Sequence, residues 1–279
     1  MQLTAMIHSV EEETFFTVML GNRKVFFYLQ KNLVKKFIKY LEKGTVVCFD
    51  YDVSAVKKNM VRAYKVNHFI SISNNKYTYK RVVHYDLDVI REGIKDLVNE
   101  MNPVMFVDFE MNMQDYHAIP NFEQEVIETG MVITDSNGAI MKIKHWYIKP
   151  TKFHITKRTM KFLDYTNYEL RQAIPFKQFY KEFKEICDEY NPYVVVWGKS
   201  DIVSLKKTCD INKCDELKLH FINLLQLHTN YDNLKNSPGL FNMWEKYSNT
   251  KLPEQSHDSL EDALVTKDVF FKFKEKVNK

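Results

Sequence analysis

The chain has 279 residues, 45% of them hydrophobic, with only seven Gly and seven Pro. That suffices for one large or two ordinary domains and excludes fibrous and low-complexity classes. A net charge of +4 suits an anionic partner such as nucleic acid without demanding one, and the four cysteines (Cys48, Cys187, Cys209 and Cys214) are too sparse for a disulfide framework.

The N-terminus has no basic leader followed by a long apolar stretch, and no apolar run approaches the ~20 residues of a membrane span. A reduced, cytoplasmic protein without a membrane segment is expected. The charge is uneven. Residues 1–72 hold 11 Lys/Arg against 6 Asp/Glu, so the basic excess lies at the N-terminus and the remainder is slightly acidic.

Residues 1–72 read as a small all-β unit with one helix. Strands are predicted over 3–10, 14–20, 24–29, 45–51 and 60–72, the last one bent, with Gly21-Asn22 marking a turn. Between the third and fourth, Leu33, Val34, Phe37, Ile38 and Leu41 share one helical face, with Asn32 as a candidate cap and Gly44 as a stop. The order β-β-β-α-β-β resembles an OB-fold, a barrel that often binds single strands. Such folds stack bases on exposed aromatics and grip phosphates with basic side chains. Candidate aromatics are Phe16, Phe26, Tyr28, Tyr51 and Tyr64; candidate cations are Lys24, Lys57, Lys58, Arg62 and Lys65. Aromatics on barrel strands are more often core than platform.

Residues 73–102 form a polar, then basic linker followed by a helix over 86–101. A second domain is expected over 103–279. It opens with Val104-Met-Phe-Val-Asp-Phe-Glu-Met111, an apolar run suited to a strand buried on both faces. On a strand, Asp108 and Glu110 point the same way. Two buried like charges need something positive between them, and a divalent metal is the simplest answer. The alternative is a turn at Asp108 and a solvated Glu110. Strands then follow over 125–134 and 140–148, joined by the turn signal Asp135–Gly138. Helices follow over 156–164 and 174–190, and a buried strand over 193–197. Further helices are read at 201–209, 238–247 and 259–275, with a strand near 217–225. A hairpin followed by alternating strands and helices argues a mixed α/β sheet.

Acids therefore collect at three places: Asp108 and Glu110 on the first strand; Asp201 just past a later strand, where sites form in open α/β sheets; and His257-Asp-Ser-Leu-Glu-Asp262 at the last helix, capped by Ser256 or Asp258. Singly, Asp201 could be a helix cap, Asp262 a solvated charge and His257 a loop residue. Together, Asp-Phe-Glu, Trp197-Gly-x-x-Asp201 and His257-x4-Asp262-Ala263 resemble the DEDDh 3′→5′ exonuclease superfamily. The similarity is closest to the exoribonuclease branch that includes the ERI and KapD-like proteins. Leu163-Asp-Tyr-Thr and Ala173-x-Pro175-Phe176 fall where that branch places a Thr-containing turn and the following helix, and the resemblance spans about 103–276.

The resemblance implies a ribonuclease-H-like mixed sheet flanked by helices, behind the OB-like barrel. It also implies that Asp108, Glu110, Asp201 and Asp262 hold two divalent ions, Mg²⁺ or Mn²⁺, about 3.5–4 Å apart. One would activate a water and the other stabilise the leaving oxygen. His257 would be the general base, Met111 would touch the terminal nucleotide, and nucleoside 5′-monophosphates would leave the 3′ end. Single-stranded RNA is the expected substrate; a DNA exonuclease, a non-catalytic nucleic-acid binder and a protein-interaction role for 1–72 are the alternatives. Ser259 and Lys199 depart from the branch, which usually has a small apolar residue and often an acid there. A zinc site from Cys209, Cys214, His220 and His228 lacks the tight spacing such sites use. Trp146, Trp197 and Trp244 read as core, and the basic residues Lys142, Lys144, Lys149, Lys152, Lys157 and Arg158 as a solvated face or a substrate path.

Overall fold

The computed structural model describes residues 1–11, 14–58, 61–74, 82–84, 86–234, 236–250 and 257–279, those at 74 and 82–84 by backbone alone. The chain divides into two compact units, Met1–Gly93 and Ile94–Lys279.

The first unit contains β1 (Gln2–Glu11), β2 (Phe15–Leu20), β3 (Arg23–Tyr28), α1 (Lys31–Phe37), β4 (Val46–Tyr51), β5 (Val56–Lys58), β6 (Val61–Asn74) and β7 (Val82–His84). β1 pairs antiparallel with β2 and β4, β2 with β3, and β4 with β6. The parallel pair β3–β6 closes the ring. The result is a five-stranded OB-like barrel with its helix between the third and fourth strands. Two register shifts in the β4–β6 ladder bend β6 as expected. The short β5, which pairs with the start of β6, has no clear signal in the sequence.

Barrel closure turns Phe16, Phe27, Phe49 and Phe69 inward, each at most 1% exposed. Phe16 stacks on Phe27 with centroids 5.5 Å apart and meets Phe49 edge-on. Phe16 is therefore core and no base platform. Tyr51 and Tyr64 also lean on Phe27. Asn32 is not the cap of α1: Gln30 holds that position, and the Asn32 side chain accepts from Leu33 N–H within the first turn.

α2 (Leu87–Glu100) spans the division between the units. The second unit then runs through β8 (Val104–Met111), β9 (Val126–Thr134), β10 (Ile140–Lys149), α3 (Lys157–Phe162), α4 (Asn167–Gln172) and β11 (Ile174–Pro175). It continues with α5 (Phe176–Tyr190), β12 (Tyr193–Val196), α6 (Ser200–Asn212), β13 (His220–Asn223), α7 (Leu224–Asp232), α8 (Leu240–Ser248) and α9 (Ser259–Val277). The sheet order is β11-β10-β9-β8-β12-β13. β8–β9 and β9–β10 are antiparallel; β8–β12, β12–β13 and β10–β11 are parallel. This is the expected mixed ribonuclease-H-like sheet.

β8 is interior and buried along Val104–Val107, and β9 is buried throughout. Strand alternation gives β8 two working faces. Met105, Val107 and Phe109 join the cluster built by Phe176, Phe179 and Phe183 of α5. Phe106 turns the other way and packs on Phe270 of α9, with centroids 5.3 Å apart. Asp108 and Glu110 share the face of Phe106, so α9 is the helix they meet.

Candidate active site

Moving along β8, the residues on the α9 face change from Phe106 to Asp108 and Glu110. In the antiparallel ladder Asp108 stands opposite Gly130 of β9, and Glu110 opposite Glu128. Gly130 is where the first turn of α9 touches the sheet. A Cβ there would lie 2.2 Å from Leu260 N and 2.3 Å from both Leu260 Cα and Ser259 C. Only a bare backbone lets the helix come this near. The close approach delivers Asp262, in the first turn of α9, to the two acids of β8. Carboxylate oxygens of Asp108, Glu110 and Asp262 lie within 4.8 Å of one another.

Asp201 arrives from the other neighbour. β12 ends at Val196, and Gly198 turns the chain with φ +104°. The Gly198 N–H donates to Asn223 Oδ1 at 3.2 Å, and α6 then places Asp201 in its first turn, 4% exposed. Asp201 is not the cap of α6, since Lys199 holds that position. Its carboxylate accepts instead from Ser200 Oγ at 3.4 Å. Asp108, Glu110, Met111, Asp201 and Asp262 all line one cleft of about 370 Å³. Trp197, Leu240 and Phe241 supply its apolar wall, so Trp197 is a cleft residue as well as a packing one.

The acids strain one another. Burial, then the charges of Asp201, Asp262 and Glu110, pushes Asp108 well above the ordinary carboxylate range. Burial, then Glu128 and Asp262, pushes Glu110 up to about 8. Burial raises Asp201 to about 6. Hard oxygen donors in this number, with acids as the leading charged neighbours of Asp108, fit a divalent cation such as Mg²⁺ or Mn²⁺.

His257 is not among the residues lining the cleft. It has φ +55°, and its ring lies 4.2 Å from that of Phe162. Ser256 falls outside the described residues. Asp258 caps α9, accepting from the N–H groups of Leu260 and Glu261 at 2.9 and 2.8 Å.

Beside the acid cluster stands a group that sequence reasoning overlooked. Glu128, 1% exposed, accepts from Ser259 N–H at 3.1 Å, from Ser259 Oγ at 2.9 Å and from Tyr165 Oη, and lies 2.8 Å from His145 Nε2. Burial alone would raise its pKa, but these hydrogen bonds hold it below the usual value. Two signals pointed here: an acid inside the otherwise apolar run 126–134, and a Gly in a strand interior, which marks a close backbone approach.

The remaining candidates separate. His228 of the proposed Cys/His set is buried, with Nδ1 3.0 Å from Leu224 O and Nε2 3.1 Å from Tyr247 Oη; both nitrogens already have structural partners. Trp146 is core and donates to Glu182. Of the basic stretch, Lys142 and Lys152 pair with Glu189 and Glu123, and Arg158 lies over the Tyr116 ring. In the barrel unit Lys24 lies over Phe26 and Lys58 over Tyr28, at 5.1 and 4.2 Å. Lys57 and Arg62 are exposed and directly opposed across β5–β6.

Among the described residues, no helix is long and apolar enough to cross a membrane. The exonuclease family model, named for ribonuclease T, matches residues 105–270. A probable 3′-5′ exonuclease, KapD of Bacillus subtilis (strain 168), is 28% identical over 172 residues, which are 61% of this chain and 83% of KapD. The nuclease domain of 3′hExo, a DEDDh family member bound to rAMP, superposes with a TM-score of 0.57 at 17% identity, covering 63% of this chain and 94% of that one. Cell-death related nuclease 4 does so with a TM-score of 0.52 at 18% identity, covering 64% of each. With the family match spanning more than half of the chain, and the acids of β8, α6 and α9 converging on one cleft inside the matched segment, the chain belongs to the exonuclease family.

Proposed function

We propose that the chain removes nucleotides from the 3′ end of single-stranded RNA, using Asp108, Glu110, Asp201 and Asp262 to hold two divalent ions. The observation that carries this reading is the convergence of four acids, from β8, α6 and α9, on one cleft. Bound divalent ions supply the positive charge that offsets these carboxylates and the scissile phosphate. The protein's own part is to present the acids without rearrangement, which a sheet and two helix N-termini do rigidly. The apolar wall of Met111, Trp197, Leu240 and Phe241 suits the terminal nucleoside, orienting it and excluding water. His257 takes the proton of the attacking water as general base; to reach the cleft its ring leaves Phe162. RNA is favoured over DNA because the neighbour with the higher TM-score is a DEDDh domain bound to rAMP.

The barrel unit holds the strand upstream of the cut. Phe26 and Tyr28, with Lys24 and Lys58 over their rings, form the platform, and the like-charged pair Lys57/Arg62 seeks phosphate. The decisive assay is a time course on 5′-labelled RNA and DNA of one sequence with Mg²⁺, Mn²⁺ or chelator. A chelator-sensitive ladder, faster on RNA and absent for Asp108→Ala, is expected. A ladder that survives in Asp108→Ala would exclude this cleft; equal rates on DNA would remove the RNA preference.

A further inference from the structure

We infer that Glu128 is a positioning residue for the nuclease site: its buried carboxylate clamps the first turn of α9 and thereby sets Asp262 and His257. A helix start leaves four backbone N–H groups needing acceptors. In α9, Leu260 and Glu261 donate to the Asp258 side chain, and Asp262 to the Asp258 carbonyl. Ser259 alone turns to another element, giving both its N–H and its hydroxyl to Oε1 of Glu128. Ser259 lies two residues after His257 and three before Asp262, so one carboxylate on β9 fixes the segment carrying both. A negative group at a helix N-terminus is also favoured by the helix dipole.

Glu128 is itself held. Tyr165 Oη donates to its second oxygen, and His145 of β10 sits 2.8 Å from the first. Tyr165 is aimed by a turn after α3: Asp164 has φ +52°, and Tyr165 N–H returns to Met160 O at 2.8 Å. Asp258 offers a second acid near Glu128 and His145, but Glu128 spends its oxygens on Ser259, Tyr165 and His145, so this second group is a clamp and not an ion site. Glu128 also faces Glu110 across the ladder, so the clamp and the acid cluster share one rigid strand pair. The assignment explains Ser259: its hydroxyl adds a second bond to the clamp that an apolar residue could not make.

The inference rests on the nuclease reading, and the test separates the two. Mn²⁺ affinity by electron paramagnetic resonance, kcat, KM and thermal unfolding in chelator are measured on the full chain for wild type, Glu128→Ala, Glu128→Gln, Ser259→Ala and Tyr165→Phe. Outer residues that orient metal ligands typically change affinity or activity about 10–100-fold. Glu128→Ala should weaken Mn²⁺ binding and lower kcat by about that factor with KM within about threefold, because the cleft wall is untouched. Glu128→Gln keeps an acceptor for Ser259 and a group for Tyr165, and should recover most of the loss. Ser259→Ala, which deletes one hydroxyl, should lie between. Wild-type Mn²⁺ affinity and kcat in a folded Glu128→Ala overturn the inference. If that variant does not fold, wild-type values in both Glu128→Gln and a folded Ser259→Ala do so only with unchanged values in Tyr165→Phe; a graded loss across the three supports it. A wild type that binds Mn²⁺ but cleaves no oligonucleotide would sink the nuclease reading, while the Mn²⁺ series would still judge the clamp.

Discussion

Gly130→Ala asks whether the contact of α9 with β9 assembles the site. The added Cβ would sit 2.2 Å from Leu260 N and 2.3 Å from Ser259 C. Carbon–carbon and carbon–nitrogen contacts in proteins relax at about 3.5–4.0 Å, so more than 1 Å must be found. The obstructing atoms are backbone in the first turn of a helix and cannot rotate away. The helix must lift, carrying Asp262 from the oxygens of Asp108 and Glu110, now within 4.8 Å. Overpacking of this kind costs about 1–3 kcal/mol, and a misplacement of about 1 Å at a reacting centre can cost about 10²-fold in rate. The expected variant is folded, with an unfolding temperature lower by several degrees, a kcat reduced about 100-fold and weaker Mn²⁺ binding. Circular dichroism melting, Mn²⁺ titration and the labelled-oligonucleotide assay measure the three. A Gly130→Ala protein with wild-type kcat and Mn²⁺ affinity would refute the idea that this approach sets the acid cluster.

Four further outcomes follow from the charges. Glu110 has a folded pKa raised from 4.5 to about 8, so its contribution to stability is present below about 4.5 and is lost as pH rises through about 8. In chelator the protein should lose stability across that window, by an amount on the order of a few kcal/mol from this group; urea unfolding should show this slope flattened by saturating Mn²⁺, and an unchanged slope would contradict the assignment of ligands. Asp262→Asn removes one of the repelling charges: it should abolish cleavage and yet be about 1 kcal/mol more stable than wild type in chelator at pH 8, with a loss of stability counting against the charge reading. His228, buried and stacked on Phe273 at 4.1 Å, has its pKa lowered to about 4. The stability it lends is present above about 6.5 and lost as pH falls through about 4, roughly 3 kcal/mol in all; an imidazole that titrates by NMR near 6.5 in the folded protein would exclude this. In the barrel unit, replacing Lys57, Lys58 and Arg62 together by Ala should raise KM for a long RNA several-fold, lower its salt dependence and leave a trinucleotide unaffected; equal effects on both lengths would remove the barrel from substrate binding.

The barrel was readable because its strands alternate with turn signals and its helix has a one-sided apolar stripe. Closure was less readable. The parallel β3–β6 pair joins segments far apart in sequence, and only that pairing decides which aromatics turn inward. Phe16 and Phe26 look equivalent in sequence, yet Phe16 is fully buried while Phe26 stays half-exposed beneath Lys24. α4 and α7 lie in stretches too short and polar for a helical stripe, and tertiary contacts and caps sustain them: Thr166 and Glu169 form a capping box for α4, and Asn223 accepts from Gln226 N–H to start α7.

The acids stood out for a physical reason. A carboxylate at the end of an apolar strand is costly in a folded protein, so a sequence that keeps four of them at element edges is declaring a compensating cation. Glu128 is as costly and less visible, because hydrogen-bond donors rather than an ion compensate it, and those donors come from Tyr165, His145 and Ser259, which adjoin only in three dimensions. The same distinction separates what each can do. An acid whose partners are fixed N–H and O–H groups is satisfied without metal and holds structure. Asp108 and Glu110, whose leading charged neighbours are the acids Asp201 and Glu128, are held toward their protonated form, which a bound cation would relieve. On their shared ladder Glu128 of the clamp stands directly opposite Glu110 of the cluster, with Asp108 two pairs along, so one strand pair carries rigidity and unmet charge side by side.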